Sequence, residues 1–215
     1  MIVLYAYIAQ SQHQHLIDKY GDLFTDRFKA KILKYKRWQD AQLSLLGRVL
    51  LTYGLNQYYQ ISEFEIGYSA ANKPFLINEH IHFNISHAKN IVVCCIADLS
   101  IGIDIEYIDY HLDVANFSAQ MTENECFQIN NSKDKHHDFF TIWTQKEALI
   151  KADGRGFLLP PASFEIVDNQ ARVDHKQFYL TEMNIHTHYK CYLCSDKPIV
   201  QKEVQLVHID VDMLP

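Results

Sequence analysis

The alternation of hydrophobic and polar positions divides the first part of the chain into one strand followed by two helices. The apolar run over residues 1–8 predicts a strand that opens the fold. Apolar residues then recur every three or four positions over residues 23–38 and again over residues 40–55, which predicts two helices. Gly54 and Asn56 are typical of a helix end, so we expect the second helix to stop near them.

Alternating stretches occupy the middle of the chain. A short one covers residues 63–68, and three longer ones cover residues 81–87, 91–97 and 101–107. Short polar turns separate the three longer stretches, and each of them has the length of a strand. This arrangement predicts a β-meander, in which each strand pairs with the next one along the chain.

The C-terminal half begins with helices and ends with strands. Thr122 and Glu125 have the spacing of a capping box, which predicts the start of a helix. We expect a further helix over residues 139–153, with Asp138 as its N-cap and Gly154 at its C-terminal end. Alternating stretches then predict strands over residues 164–167, 177–180, 189–194 and 204–207.

Each half of the chain therefore combines helices with a run of antiparallel strands, which is typical of an α+β fold. We predict two similar lobes, each an antiparallel sheet packed with helices. The boundary is placed just after Tyr107, so that residues 1–108 form an N-terminal lobe and residues 109–215 form a C-terminal lobe. Because no Gly- or Ser-rich linker marks this boundary, we expect the lobes to pack tightly.

Composition narrows the class of protein. The chain has 215 residues, of which 48% are hydrophobic, and this is sufficient for a substantial core. A net charge of −6 argues against general nucleic-acid binding, which depends on a basic surface. No apolar run approaches the roughly 18 residues of a membrane span, and the N-terminus lacks the pattern of a signal peptide. We therefore expect a cytoplasmic protein with no membrane partner.

Cysteine usage agrees with a reducing compartment. The five cysteines are odd in number and two of them are adjacent, which favours free thiols over a disulfide framework. Cys191 and Cys194 would point to opposite faces of a strand, so the His- and Cys-rich stretch over residues 186–194 does not predict a zinc site.

Positive charge is concentrated in one segment. Residues 27–37 contain six cations, including Lys31, and no acidic residue. Such a segment could face a phosphate-rich ligand, and the alternative is an ordinary solvated helix face.

The predicted helix over residues 139–153 carries an unusual stripe. With 3.6 residues per turn, Trp143, Glu147, Ile150 and Lys151 fall on one side of it. A carboxylate and an ammonium on an otherwise apolar stripe indicate that a partner, a metal ion or a substrate compensates their desolvation. The alternative is a surface ion pair worth about 0.3–0.5 kcal/mol.

A second acidic feature lies on the last strand of the predicted meander. Alternation places Asp104 and Glu106 on the same face as Gly102, which has no side chain, so the two carboxylates form an open acidic shelf. Hard oxygen ligands of this kind suit Mg²⁺. The alternative is a solvent-facing strand edge.

Candidate anion donors stand on the preceding strand. Ser86 and His87 end that strand just before a turn, and no nucleophile elbow or Ser-His-Asp arrangement accompanies Ser86. We interpret both as donors to an anion. Lys73, beside Pro74, could supply another.

Four motifs, taken in order, resemble those of the 4'-phosphopantetheinyl transferase superfamily, specifically its monomeric, two-lobed class that activates surfactin-type peptide synthetases. The G-x-D-x-E and W-x-x-K-E-A-x-x-K patterns lie about forty residues apart, and the similarity covers nearly the whole chain. Asn72 departs from the family pattern, which often has Gly before Lys-Pro. The motifs are Asn72-Lys73-Pro74, Phe83-Asn84-Ile85-Ser86-His87, Ile101-Gly102-Ile103-Asp104-Ile105-Glu106 and the stretch from Trp143 to Gly156.

The resemblance implies two lobes related by a pseudo-twofold axis, with the active site in the cleft between them. It also implies an enzyme that moves the phosphopantetheine arm of coenzyme A to a serine of an apo acyl carrier or peptidyl carrier protein. Adenosine 3',5'-bisphosphate would be released. We expect a monomer of the holo-[acyl-carrier-protein] synthase type that requires Mg²⁺, with Mn²⁺ as an alternative.

The same resemblance assigns roles to individual residues. Asp104, Glu106 and Glu147 would hold the metal ion. Glu147, or a metal-bound water that it orients, would deprotonate the carrier serine, and Lys151 would stabilise the leaving phosphate. Residues implied to bind coenzyme A are Lys31, Arg48, Lys73, Pro74, Ser86, His87, Lys146 and Lys151.

Two rival functions remain at this stage. The same carboxylates could serve a magnesium-dependent phosphoryl hydrolase, with water as the nucleophile. Alternatively, the chain could be a non-catalytic module that binds coenzyme A or a carrier domain.

Overall fold

A computed structural model describes residues 1–214, without the side chains of Phe157 and Met213, as a mixed fold of helices and sheets. None of the helices in this range is long and apolar enough to cross a membrane. The helices are α1 (His13–Tyr20), α2 (Asp26–Leu33), α3 (Trp38–Tyr59), α4 (Glu123–Asn131) and α5 (Lys135–Asp153). The strands are β1 (Ile2–Tyr7), β2 (Ile66–Tyr68), β3 (Pro74–Leu76), β4 (His82–Ala88), β5 (Ile91–Ala97), β6 (Ile101–Tyr107), β7 (Gln170–Val173), β8 (Lys176–Glu182), β9 (Tyr189–Ser195) and β10 (Gln205–His208).

Two four-stranded sheets organise the molecule, which confirms the predicted α+β class with separate sheets. The first has the strand order β10-β1-β5-β4 and the second has the order β6-β9-β8-β7, while β2 and β3 form a small hairpin. All pairs are antiparallel except β1 with β10, which is parallel. The first sheet is therefore mixed, which the sequence did not indicate.

The predicted meander is wrong at its third strand. β4 and β5 form a hairpin, but β6 pairs with β9 instead of β5. The reason is that β5 already has β1 on one edge and β4 on the other, so no edge of β5 is free for β6.

Strand pairing also crosses the division predicted at residue 108. β6 precedes that position but lies in the sheet built by residues 170–195, and β10 follows it but pairs with β1. The two sheets share one buried apolar cluster, with Val93 and Cys95 from the first sheet and Ile103 and Leu193 from the second. Tertiary pairing, and not sequence order, decides which sheet each of these strands joins.

Helix α3 covers the first sheet and is longer than predicted. Its residues Leu46 and Leu50 are completely buried in the same core as Leu4. Gly54 is not a stop signal: it lies inside the helix, where an added Cβ would be 2.5 Å from Cδ1 of Ile96. The glycine is thus needed for close packing of the helix on the sheet, and the helix ends at Gln60, whose φ of 59° is left-handed.

Other element boundaries agree with the sequence only in part. The capping box of α4 is confirmed, because Thr122 Oγ1 accepts from the N–H of Glu125 while the Glu125 carboxylate accepts from the N–H of Thr122. Helix α5 ends before Gly154 as predicted, but it begins four residues early, with Asp134 and not Asp138 as its N-cap. The polar residues 135–138 lack the apolar periodicity that would have revealed this first turn.

Two further differences lie outside the core sheets. Residues 13–20 form α1, which was not predicted, and residues 23–38 are divided between α2 and the first residue of α3. The stretch over residues 164–167 forms only an isolated bridge from Val167 to Gln170, and β7 follows it unpredicted.

Asn84 links the unpaired edges of β4 and β6, which are the end strands of their two sheets. Its side chain is almost fully buried, and its Oδ1 accepts a hydrogen bond of 2.9 Å from the backbone N–H of Ile103. The amide thereby satisfies a strand edge that has no β-strand partner on that side.

Replacing Asn84 by Ala is expected to destabilise the protein by about 1–3 kcal/mol, because the buried N–H of Ile103 loses its acceptor. Urea unfolding measures this, with Asn130→Ala on the exposed surface of α4 as the control. Equal midpoints for the two variants would contradict the role given to Asn84.

Candidate active site

The backbone of α5 lies directly against β6 at Gly102. A Cβ added there would be 2.1 Å from the carbonyl oxygen of Ala148 and 2.4 Å from the backbone nitrogen of Ala152. Only a residue without a side chain permits this approach. The glycine of the G-x-D-x-E motif therefore sets the distance between the strand that carries two carboxylates and the helix that carries the third.

An ammonium, a carboxylate and a hydroxyl meet beside this contact. Lys151 Nζ donates to Asp104 Oδ1 at 2.6 Å and to Ser86 Oγ at 2.8 Å, and the Ser86 hydroxyl donates to the same Asp104 oxygen at 2.8 Å. Asp104 is buried, whereas the Lys151 side chain is 27% exposed. The structure thus brings together three residues predicted from β4, β6 and α5, and places Ser86 at the acidic cluster.

Glu106 and Trp143 form a second link between β6 and α5. The indole Nε1 donates to Glu106 Oε1 at 3.1 Å, and the ring stacks on Phe139 with an angle of 11° between the planes. The sequence pattern places Trp143 on the stripe with Glu147 and Lys151 but gives it no partner. It donates to Glu106 because α5 packs on β6 with these two residues facing each other. The sequence pattern of either element alone does not contain this information.

Glu147 is half-buried on the same stripe of α5. Burial raises the pKa of Glu147, and the nearby charge of Asp104 raises that pKa further, while Lys151 lowers it. A carboxylate with a raised pKa is a stronger base than an exposed one, which suits a group that accepts a proton.

Mutual repulsion is strongest at Glu106. Burial raises the pKa of Glu106 to about 7, and the charges of Asp104 and Glu147 add to this effect. Trp143 and Lys151 act in the opposite direction. The charges of Asp104 and Glu147 thus disfavour the ionisation of Glu106, with the Lys151 ammonium as partial compensation.

The donor set fits a hard divalent cation. Carboxylate oxygens are the ligands that Mg²⁺ prefers, and Asp104 Oδ2 is a buried oxygen without a hydrogen-bond partner. Within residues 1–214 no three His, Cys, Asp or Glu side chains converge closely enough to form a complete protein site. A metal ion held here would complete its coordination shell with water and substrate phosphates.

Lys146 does not join this group, which corrects its prediction as a coenzyme A ligand. Its side chain is fully buried on another side of α5, where Nζ lies 2.9 Å from Glu125 Oε1. Nζ also donates to the carbonyl oxygens of Pro161 and Phe164 at 2.8 and 2.7 Å. One residue along a helix is a rotation of 100°, so Lys146 and Glu147 point in different directions.

A groove of about 1210 Å³ lies between α2, α3 and the β2–β3 hairpin. Lys31 and Arg48, both predicted to bind coenzyme A, line it together with Phe28 and Tyr68. The Arg48 guanidinium lies 5.3 Å from the centre of the Phe28 ring, and its Nη2 donates to the Tyr68 hydroxyl at 3.0 Å. Its Nη1 is buried without a partner, so this cation retains a donor for a ligand.

The Asn72-Lys73-Pro74 motif runs from this groove toward the end of α5. Asn72 lines the groove, and Pro74 pairs with Tyr68 in the hairpin. Lys73 Nζ donates to the carbonyl oxygen of Ala152 at 3.2 Å, and burial lowers the pKa of this lysine. Lys73 therefore caps the C-terminal end of α5, next to Lys151.

His87 lies on β4 beside Ser86. Burial lowers the pKa of His87, and the positive charge of Lys151 lowers it further. The nearby charges of Asp40 and Asp104 raise it. His87 is thus close to the cluster around Asp104 and to the N-terminal turn of α3.

Comparison with known proteins identifies the family. Residues 100–202 match the 4'-phosphopantetheinyl transferase superfamily, and residues 12–98 match the family described as 4'-phosphopantetheinyl transferase, N-terminal. The 4'-phosphopantetheinyl transferase gsp of Aneurinibacillus migulanus is 32% identical over 203 residues, which are 90% of this chain and 85% of that protein. The chain belongs to the 4'-phosphopantetheinyl transferase superfamily.

Further relatives define the class. The 4'-phosphopantetheinyl transferase Sfp of Bacillus subtilis is 26% identical over 212 residues, covering 94% of this chain and 95% of that protein. These relatives confirm the resemblance to the two-lobed class and favour the broader transferase type over the predicted holo-[acyl-carrier-protein] synthase type. A holo-[acyl-carrier-protein] synthase structure from Thermotoga maritima aligns with 45% of this chain and 61% of that chain, at 15% identity and a TM-score of 0.35.

Substituting Gly102 by Ala is expected to separate α5 from β6, because the new methyl group would overlap backbone atoms that cannot rotate away. We expect a loss of stability of at least about 1–3 kcal/mol. The rate of phosphopantetheine transfer should fall about 100-fold, because the carboxylates of β6 would no longer face the carboxylate of α5. Gly21→Ala is the control, because Gly21 has a φ of −59° and a Cβ added there would be 3.9 Å from the nearest atom.

Replacing Glu106 by Gln should stabilise the protein in the absence of divalent cations. The folded pKa of about 7 lies above the ordinary value of 4.5, so ionised Glu106 opposes folding above pH 7, and this effect vanishes near pH 4.5. We expect the free energy of unfolding of the variant to exceed that of the unaltered protein by on the order of 1–3 kcal/mol at pH 8, and by little at pH 5. Thermal unfolding measures it, with the exposed Glu203→Gln as control; a loss of stability at pH 8 would contradict the repulsion.

Proposed function

We propose that the protein transfers the 4'-phosphopantetheine group from coenzyme A to a serine of an apo acyl carrier or peptidyl carrier protein. Adenosine 3',5'-bisphosphate is the leaving group, and Mg²⁺ or Mn²⁺ is required. Membership of the superfamily supports the transfer itself. The meeting of Asp104, Glu106, Glu147 and Lys151 at the contact between α5 and β6 is the observation that supports this chemistry.

The carboxylates have two tasks in this proposal. Asp104, Glu106 and Glu147 would hold the divalent cation, which would neutralise charge on the pyrophosphate of coenzyme A. Without the cation, the three carboxylates would repel the anionic pyrophosphate as well as one another, so coenzyme A and the cation should bind cooperatively. Glu147 accepts the proton of the carrier serine as that oxygen attacks the β-phosphorus.

Lys151 serves the leaving group. Its ammonium is held by Asp104 and Ser86, so its position is fixed before the substrate arrives. The bond from the β-phosphorus to the bridging oxygen breaks as the serine oxygen attacks, and negative charge collects on the departing phosphate. An ammonium at this position stabilises that charge electrostatically.

The groove beside α2 and α3 is proposed to receive the adenosine 3',5'-bisphosphate part. Arg48 is its best anchor, because the guanidinium is fixed by Phe28 and Tyr68 and still has the unpartnered Nη1. Lys31 supplies a second cation on the opposite wall. Lys73, whose neighbour Asn72 lines the groove, and His87, which is near Lys151 and Asp104, are proposed to add contacts to the phosphates of coenzyme A.

The protein is further proposed to act as a cytoplasmic monomer. The free cysteines agree with a reducing compartment. Its partners are coenzyme A and one carrier protein at a time, without nucleic acid or membrane.

Incubation of the purified protein with coenzyme A, Mg²⁺ and apo carrier proteins tests the proposal. Intact mass should show a gain of about 340 Da on the carrier, as expected for group transfer to a hydroxyl nucleophile. Asp104→Ala and Glu147→Gln should abolish the gain while Glu203→Gln leaves it unchanged. Consumption of coenzyme A without any mass gain on the carrier would instead support a hydrolase.

A further inference from the structure

A buried ion pair fixes α5 on the side away from the proposed reaction centre. Lys146 is 0% exposed and Glu125 is 1% exposed, and their charged atoms are 2.9 Å apart. Burying two charges is expensive, and an apolar pair of similar volume is often at least as stable. Stability alone therefore does not explain why this position carries a lysine.

The ammonium of Lys146 joins three separate parts of the chain. Besides Glu125 of α4, it donates to the carbonyl oxygens of Pro161 and Phe164, which belong to the segment that follows α5. Glu125 is itself fixed, because its other carboxylate oxygen accepts from the backbone N–H of Thr122 at the start of α4. The pair thus has one geometry in which all of these contacts form.

The apolar contacts of α5 do not select a rotation about its own axis so strictly. Its buried side chains lie on several sides and include Phe139, Phe140, Leu149 and Ile150. Apolar burial is nondirectional, so it tolerates small rotations of a helix that is apolar on several sides. A buried charge does not tolerate such rotations, because a rotation that separates it from its partner leaves it unpaired.

Rotation of α5 would displace the reacting groups directly. Glu147 follows Lys146 in sequence and points 100° away from it around the helix axis. If α5 turned, Glu147 would leave the neighbourhood of Asp104, and Trp143 would lose its hydrogen bond to Glu106.

We propose that the Lys146–Glu125 pair is a positioning device that sets the rotation of α5 and so places Glu147 and Trp143 opposite β6. The inference rests on the proposed function for its kinetic consequences. Neither residue touches the substrate.

The test compares single and double substitutions. Lys146→Met or Glu125→Leu alone should lower the melting temperature strongly, because each leaves one buried charge unpaired. The double variant Lys146→Met/Glu125→Leu should recover most of this loss. Despite that recovery, its kcat should be about 10- to 100-fold below that of the unaltered protein, with KM for coenzyme A changed less than about twofold. The exposed pair Lys202→Met/Glu203→Leu carries the same substitutions as a control.

Fluorescence of Trp143 gives a readout that does not depend on transfer. The chain has two tryptophans, so a Trp38→Phe background isolates the indole that donates to Glu106. The double variant should show a shifted emission maximum. A stable double variant with unchanged kcat and unchanged emission would overturn the proposal.

Glu125→Gln decides the case if the double variant does not fold. Glutamine retains the acceptor for Thr122 and the side-chain volume but lacks the charge. A folded Glu125→Gln protein should show the same decrease in kcat and the same shift in emission, to a smaller extent, and unchanged values for both would overturn the proposal. If the unaltered protein transfers nothing to any carrier, the proposed function fails, and Trp143 emission still tests the positioning.

Discussion

The contact between α5 and β6 at Gly102 is the constraint on which the rest of the site depends. Backbone meets backbone there, with no space for a side chain. Because the two elements are so close, single side chains connect them directly: Lys151 reaches Asp104 and Trp143 reaches Glu106. Strand and helix come from opposite sides of the predicted boundary at residue 108, so a site of this kind exists only after the second sheet has formed.

This proximity has an electrostatic consequence. Burial, together with the neighbouring charges of Asp104 and Glu147, raises the pKa of Glu106, and a bound cation would relieve that repulsion. The buried pair of Lys146 and Glu125 on another side of α5 has the opposite character, since its charges are compensated internally. Helix α5 thus contributes Lys146 to an ion pair whose charges balance. It also contributes Glu147 to a group of carboxylates whose charges are only partly balanced.

Much of the chemistry was predictable from the sequence, because it depends on local periodicity. Alternation places Asp104 and Glu106 on one face, and helical spacing aligns Trp143, Glu147 and Lys151. What the sequence did not reveal depends on pairing between distant segments.

The misassigned features show this dependence. β6 joins β9 because both edges of β5 are occupied, and no local pattern reports that occupancy. The resemblance implies that Lys146 binds coenzyme A, whereas its partner Glu125 lies twenty-one positions earlier on another helix. The groove that contains Arg48 likewise appears only when α2, α3 and the hairpin are assembled.

In the proposed mechanism, the carboxylates and coenzyme A together bind one divalent cation. Titration with Mn²⁺, followed by electron paramagnetic resonance with and without coenzyme A, tests this most directly. We expect coenzyme A to tighten Mn²⁺ binding at least about tenfold, a coupling within the usual range for linked sites, and Asp104→Asn to remove the effect. Mn²⁺ binding that is the same with and without coenzyme A, or that is unchanged in Asp104→Asn, would contradict a cation shared by the carboxylates and coenzyme A.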